Sequence, residues 1–285
     1  MGRAAPTKIA HRPEGRGIHC RTPPDPERTQ MTNRIVQRAA AWMIAACVVA
    51  QAGLASAAAA DSKKACAGLP SQAELKKALA AARAEKNGGF NLEMWGTIVN
   101  RDGVVCAVAF TGKVRGDQWP GSRVISAQKA YTANAFSLPA LALATANLYT
   151  AVQPGGSLFG LQASNPVDTA AAYAGPAASF GQGNDPMAGH IVGGVNVFGG
   201  GLGLYDAKGT LVGAVGVSGD SSCADHNIAW RTRNNLKLDF VPGGVGPGKV
   251  DQIAFAGPWA QPHCLDAAIE DAAVAALPPV SKSAR

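Results

Sequence analysis

The sequence predicts an α+β fold in which an antiparallel sheet has helices packed on it. Two pairs of apolar, β-branched segments, each joined by a short turn, predict the hairpins TIVNRDGVVCAVAF and GLYDAKGTLVGAV. Helical segments precede, separate and follow the hairpins, without the strand and helix alternation that builds parallel sheets. Because strands joined by a hairpin pair antiparallel, this order predicts one antiparallel sheet in one α+β domain.

The first helix is predicted from the segment SQAELKKALAAARAEKNGG. Ser71 and Glu74 have the spacing of a capping box, in which each side chain binds the backbone N–H of the other residue. Leu75 and Leu79 fall on one face, and the two glycines at the end of the segment predict its termination. The segment is therefore predicted to be an amphipathic helix.

Further helices are predicted between and after the hairpins. Ser122 is predicted as the N-cap of a helix that ends near residue 135, and another helix is predicted over residues 138–152. Residues 160–189 are rich in polar residues, Gly and Pro, and loops of this length are usually functional or mobile. A helix is predicted over residues 225–235, and DAAIEDAAVAAL predicts a short one near the end.

The second hairpin is rich in glycine, including GGGLG at residues 199–203. Glycine weakens a strand unless another backbone or a ligand approaches closely, and the sequence leaves open whether a packed helix or a ligand does so. A dinucleotide-binding turn is excluded, because Gly203 leads into a strand and the fingerprint requires a helix there.

The N-terminal part of the chain predicts export. Residues 1–30 are predicted to be an untranslated or non-native leader, and residues 31–57 have the basic, apolar and small-residue regions of a signal peptide cleaved after Ala57. A membrane anchor is the alternative, but the apolar run is about 16 residues and a bilayer needs roughly 20. We expect a periplasmic or secreted protein, residues 58–285, with no membrane anchor after cleavage.

The positive charge belongs mostly to the leader. The full chain has a formal net charge of +7, and removal of residues 1–57 leaves 18 basic and 16 acidic residues, or +2. Nucleic-acid binding requires basic residues clustered on one face, and the mature chain offers only short pairs such as Lys76 and Lys77. Nucleic acid is therefore excluded as a partner.

Four cysteines remain after cleavage, namely Cys66, Cys106, Cys223 and Cys264. In an exported protein they suggest two disulfides, with three pairings that the sequence alone does not separate. The absence of a C-x-x-C motif argues against a zinc ribbon or a redox motif.

The segment GVSGDSSCADHNIAW contains the residues that suggest chemistry. GVSGD differs in its fifth residue from the nucleophile elbow of hydrolases, so a catalytic pair of Ser218 and His226 is conceivable. Asp225 and His226 follow two serines at a helix start, where Asp225 would be favoured as part of the cap. The functional alternative is a small ligand or metal held by Asp225, His226 and backbone N–H groups.

Lys129 and Tyr131 lie on the predicted helix that begins near Ser122. A helical lysine normally faces solvent, and this is the alternative to a role in ligand binding. The tryptophans Trp95 and Trp119 are predicted to be packing residues. By chemistry, the candidate axial ligands of a haem are Tyr131, Tyr173, Met187, His190, His226 and His263.

Two motifs together resemble the GlcG/HbpS-like haem-binding family. They are SAQKAYTANAF at residues 126–136, and the combination of GGVNVF, GTLVGAVGVSGD and ADH between residues 193 and 226. The resemblance covers about residues 69–236. It implies a profilin-like α+β fold, homo-oligomers and, for some members, haem binding or breakdown and a sensor partner. Within these motifs we expect the ligand-binding residues to be Lys129, Tyr131, Thr132, Ser218, Asp225 and His226, with His226 as the candidate metal ligand.

The chain departs from the family pattern in three places. Val195 and Asn196 replace a small residue and a proline, His226 replaces an acidic residue, and residues 155–189 form an insertion. No histidine lies in the first helix or hairpin, where some relatives would have a haem ligand. If neighbouring cysteines pair, Cys66 with Cys106 and Cys223 with Cys264, they would fasten the first helix and the last segment to the hairpins.

Three functions remain open from the sequence. The first is an exported haem-binding protein that sequesters or degrades haem. The second is an enzyme of small metabolites that uses Ser218, Asp225 and His226 in a pocket. The third is an oligomeric accessory protein that assembles through its glycine-rich strands and residues 155–189.

Overall fold

A four-stranded antiparallel sheet forms the centre of the computed structural model, which describes residues 64–283. The predicted leader and signal peptide lie outside the described residues. The strands are β1 (Trp95–Asn100), β2 (Val105–Phe110), β3 (Gly201–Tyr205) and β4 (Leu211–Ser218), in the spatial order β2-β1-β4-β3. Both predicted hairpins are confirmed, and β1 and β4 join them at the centre of the sheet.

Helices cover both faces of this sheet. They are α1 (Gln72–Arg83), α2 (Ser122–Phe136), α3 (Leu161–Ser164), α4 (Thr169–Ala172), α5 (Ser222–Asn235) and α6 (Ala267–Ala275). α1 and α5 share a core with Ile98 and Val215 on one face, whereas α2 packs on Val99 and Ala214 on the other. Within residues 64–283, no helix is long and apolar enough to cross a membrane. The α+β prediction is confirmed.

The helix starts follow from local side-chain chemistry. The capping box of α1 is confirmed, with the Ser71 N–H donating to Glu74 Oε2 at 2.7 Å and the Glu74 N–H donating to Ser71 Oγ at 3.3 Å. α5 begins after Ser221, whose hydroxyl accepts from the Ala224 N–H. The predicted cap of α2 is wrong, because Ser122 is its first helical residue and Gly121 precedes it without a side-chain cap.

The helix predicted over residues 138–152 is also wrong. The segment contains two short 3₁₀ turns, Thr145–Leu148 and Thr150–Val152, joined to an extended stretch. There the Ala142 N–H donates to the Gly243 carbonyl at 2.7 Å and the Leu143 N–H donates to Ser137 Oγ at 3.1 Å. Because these backbone N–H groups have hydrogen-bond partners outside the segment, they do not require the hydrogen bonds of a continuous helix.

The glycines of the second hairpin allow α2 to approach the sheet closely. A Cβ at Gly216 would lie 2.0 Å from the Ser126 carbonyl oxygen, and one at Gly201 would lie 2.4 Å from the Lys129 carbonyl oxygen. Both distances are shorter than any real contact of a Cβ. The close approach that the glycines predict is therefore that of a helix backbone.

Two disulfides hold the outer segments on this core. Cys66 pairs with Cys106, and Cys223 pairs with Cys264, with sequence separations of 40 and 41 residues. The first fastens the segment before α1 to β2, and the second fastens α5 to the segment before α6. By the entropy of the loops that they close, each is worth about 4 kcal/mol.

We predict that Gly216→Ala destabilises the protein, because the added methyl group would collide with the backbone of α2. Overpacking of a core typically costs about 1–3 kcal/mol, and denaturant-induced unfolding would measure the loss. Gly183→Ala is the matched control, since nothing lies within 4 Å of a Cβ at that position. Equal stability of the two variants would show that α2 can shift without cost.

Candidate functional site

A cavity of about 810 Å³ opens beside the N-terminal end of α2. Trp95 of β1 and Phe110 of β2 form its inner wall, and their rings meet edge to face with centroids 5.1 Å apart. The loop before α2 contributes a second wall, and residues 173–182, in the segment 155–189 that the sequence predicts to be an insertion, contribute a third. This volume lies within the range of about 300–1,000 Å³ that is typical of sites for small molecules and cofactors.

The insertion packs directly on the aromatic wall. Gly181 has a φ of +74°, and a Cβ at this position would lie 2.3 Å from the ring of Phe110 and 2.8 Å from that of Trp95. The indole Nε1 of Trp95 is buried and has no hydrogen-bond partner within residues 64–283. Buried N–H groups are normally paired, so this donor is an exception among the described residues.

A buried ion pair holds the insertion against α2. Arg123, in the first turn of α2, binds Asp185 through two nitrogens, with Nε to Oδ2 at 3.0 Å. Its Nη1 donates to the Ala172 carbonyl at 2.8 Å, and its guanidinium lies 3.7 Å from the ring centroid of Phe180. Asp185 in turn accepts from the Gly181 N–H at 2.6 Å. The geometry of the outer wall is therefore fixed by one arginine of the core.

The cavity is lined by apolar side chains and by positively charged ones. Lys113, Arg115 and Arg123 line it, and Lys113 and Arg115 are exposed, whereas Arg123 is occupied by its ion pair. No carboxylate of the described residues lines this cavity. Trp119, predicted to be a packing residue, is 53 % exposed because it lies on the loop before α2, whereas Trp95 is buried as predicted. The cavity suits a flat apolar ligand that carries negative charge.

The site residues suggested by the sequence lie elsewhere, and Lys129 and Asp225 are brought together. Lys129 Nζ donates to Asp225 Oδ2 at 2.6 Å, and both side chains are fully buried. Burial raises the pKa of Asp225 to about 6 and lowers that of Lys129, while their mutual attraction opposes both shifts. The expectation that Lys129 faces solvent is wrong, because α2 lies so close to the glycines of β3 that the lysine is enclosed.

Asp225 is not the N-cap of α5 but binds the backbone of the segment that precedes the helix. Its Oδ1 accepts from the Asp220 N–H at 2.9 Å, and Ser221 is the N-cap of α5. Asp220 accepts in turn from the backbone of Phe90 and Leu92. The polar segment after β4 therefore ties α5 to the sheet and to the loop after α1.

His226 is a residue of the core. Its ring is buried, Nε2 accepts from the Ile253 N–H at 3.0 Å, and Nδ1 has no partner within residues 64–283. Burial, with the nearby charges of Arg233 and Lys129, lowers the pKa of His226 to about 3 against the opposing effect of Asp251. The imidazole is therefore neutral near pH 7. An iron atom could reach its nitrogens only if the surrounding core opened.

The other predicted residues are separate from one another. Thr132 Oγ1 accepts from the Asn196 N–H and donates to the Gln128 carbonyl, and the ring of Tyr131 lies over Gly103. Ser218 is buried at the end of β4, and within the described residues no hydrogen bond joins it to His226. A hydrolytic pair is not formed. None of the six predicted ligand-binding residues lines the cavity beside α2.

One group in residues 64–283 has the spacing of metal ligands. The sulfurs of Cys223 and Cys264 and a carboxylate oxygen of Glu270 lie within 4.8 Å of one another. Both sulfurs are joined in the disulfide and are not thiolates, and Glu270 accepts from the Cys264 and Leu265 N–H groups. The group therefore fastens α6 to α5.

Residues 70–233 match the family model described as "Haem degrading protein HbpS-like". The chain belongs to the HbpS-like family. The match runs from the start of α1 into the last turn of α5, so it includes the sheet, the aromatic wall and the insertion. The resemblance noted from the sequence is confirmed.

Two solved structures are similar to this HbpS-like chain. Protein ORFY of Klebsiella pneumoniae is 25 % identical, with 59 % of this chain and 90 % of that chain covered and a TM-score of 0.39. The haem complex of PduOC is 23 % identical, with 57 % and 91 % covered and a TM-score of 0.39. No curated protein matches the sequence.

The buried state of His226 predicts a pH dependence of stability. Its pKa is about 3 in the folded protein and 6.5 in the unfolded chain, so unfolding takes up a proton between these values. The free energy of unfolding then falls with decreasing pH by up to about 1.4 kcal/mol per unit. Wild type should lose this amount relative to His226→Gln, whose amide oxygen can accept from the Ile253 N–H.

Denaturant unfolding of both proteins between pH 6 and pH 4 measures the difference. The shifted pKa of Asp225 affects the free energy of unfolding of both proteins, so its effect cancels in the comparison. A difference that stays constant over this range would contradict the neutral, buried state of His226.

Proposed function

We propose that the protein binds haem in the cavity beside α2. The observation that carries the proposal is the cavity itself, which combines an aromatic wall, exposed cations and a lining without carboxylates. Haem is a flat apolar macrocycle with two propionate groups, so it needs both kinds of surface. Membership of a family described as haem degrading supports haem as the ligand.

The residues present fit this group. Val114 and the half-buried Phe180 supply apolar surface for the macrocycle, and the rings of Trp95 and Phe110 lie behind them with 1 % and 3 % exposure. The exposed Lys113 and Arg115 form no ion pair within residues 64–283 and can pair with propionates. Bound haem would supply an iron centre, and the protein would orient the group and limit its contact with water.

The proposal includes export. Both disulfides form among residues that remain after the predicted cleavage, and such bonds persist in oxidising compartments outside the cytosol. Homo-oligomers and a sensor partner stay predictions from the family resemblance. Of the functions left open by the sequence, haem binding is favoured over an enzyme of small metabolites, because within the described residues no hydrogen bond joins Ser218 to His226 and neither residue lines the cavity.

We predict that Ala178→Trp weakens haem binding by about tenfold or more, since its indole would occupy the cavity. Ala178 is exposed and lines the cavity, so the change should not unfold the protein. Haemin titration followed by the Soret band measures the affinity. Ala163→Trp is the matched control, because Ala163 is an exposed alanine of the same insertion outside the cavity.

His226→Gln extends this comparison to the site suggested by the sequence. The proposal expects its haem affinity to equal that of wild type, because the ring does not line the cavity. Loss of affinity in His226→Gln, with none in Ala178→Trp, would move the haem to the junction of β4 and α5 and refute the cavity.

A further inference from the structure

One residue that lines the cavity belongs to a chemical class that ligates haem iron. Haem proteins use His, Cys thiolate, Met or Tyr as axial ligands, and the lining contains Tyr173 but none of the other three. Elsewhere in residues 64–283, Met94 and Met187 are fully buried and the four cysteines form disulfides. The donor available within the cavity is therefore a phenol.

Tyr173 combines a fixed backbone with a free side chain. It follows α4, its N–H donates to the Thr169 carbonyl at 3.1 Å, and the carbonyl of Ala172 is held by Arg123 at 2.8 Å. The side chain is 60 % exposed, and its hydroxyl makes no hydrogen bond within the described residues. The buried ion pair thus anchors the chain one residue before an unused phenol at the cavity.

We infer that Tyr173 ligates the iron of haem bound in this cavity. Ligation breaks the phenol O–H bond, forms an oxygen–iron bond to ferric iron and releases the proton to water, with no change in oxidation state. The inference rests on the proposed function and adds to it the identity of the ligand.

The position of Tyr173 distinguishes this inference from what the family pattern implies. Tyr173 lies in residues 155–189, the segment predicted from the sequence to be an insertion relative to the family pattern. Tyr131, another tyrosine, lies on α2 within the family motif. Its ring covers Gly103 and does not line the cavity. The insertion therefore supplies both the outer wall and the ligand.

The test compares Tyr173→Phe and Tyr173→His with wild type in the ferric haem complex. Phenolate ligation gives a charge-transfer absorption and a characteristic resonance Raman signal of the iron–oxygen bond. We expect Tyr173→Phe to lose both signals and to bind haem about tenfold more weakly or worse. Tyr173→His should regain affinity with the spectrum of a histidine ligand, which a purely structural role would not produce.

Tyr131→Phe is the matched control and should keep both the spectrum and the affinity of wild type. If Tyr173→Phe keeps the wild-type spectrum while Ala178→Trp blocks binding, the inference fails and the haem site stands. If wild type shows no saturable haem binding, the proposed function fails and the inference fails with it. Loss of the signals in Tyr131→Phe alone would assign the ligand to α2 and overturn the inference.

Discussion

The close approach of α2 to the backbone of β3 and β4 is the constraint on which the rest of the structure depends. It requires a strand surface without side chains, and Gly201 and Gly216 provide it. A helix held this closely encloses Lys129, and an enclosed ammonium group needs a partner because a buried, unpaired charge is very costly. Asp225 of α5 is that partner, so one ion pair joins the two helical layers at the end of the sheet.

The same helix fixes the candidate site through its first turn. Arg123 pairs with Asp185 where both are shielded from water, and removal of one partner from such a pair typically costs about 3–5 kcal/mol. The insertion, although it is mostly loop, therefore has its position set by the core. A ligand site built between a sheet edge and such a segment combines a rigid aromatic wall with an outer wall anchored at one arginine.

The parts of the fold that follow from local chemistry could be predicted from the sequence. The capping box of Ser71 and Glu74 and the two hairpins depend on residues close in the chain, and the glycine-rich strands indicate a close backbone contact. The segment 138–152 could not be predicted, since its hydrogen bonds go to distant residues such as Gly243. The burial of Lys129 could not be predicted for the same reason, because it follows from the packing of α2 on the sheet.

The candidate site shows the same limit. Tyr173 could be named from the sequence as a haem ligand by chemistry alone, but nothing local placed it beside Trp95 and Phe110. The signal that could have pointed there is Arg123, which falls on the same face of the helix as Ala127 and Ala130, since an arginine on a buried face needs a partner. The motif residues Lys129, Asp225 and His226 are of types that bind ligands, but in the structure all three are buried in the core.

A crystal structure of the protein with ferric haem tests the central claim most directly. The account predicts the macrocycle in the cavity between the Trp95 and Phe110 wall and the insertion, with Tyr173 on the iron and the core around His226 unchanged. Haem bound at the junction of β4 and α5, with His226 turned out of the core toward the iron, would contradict it.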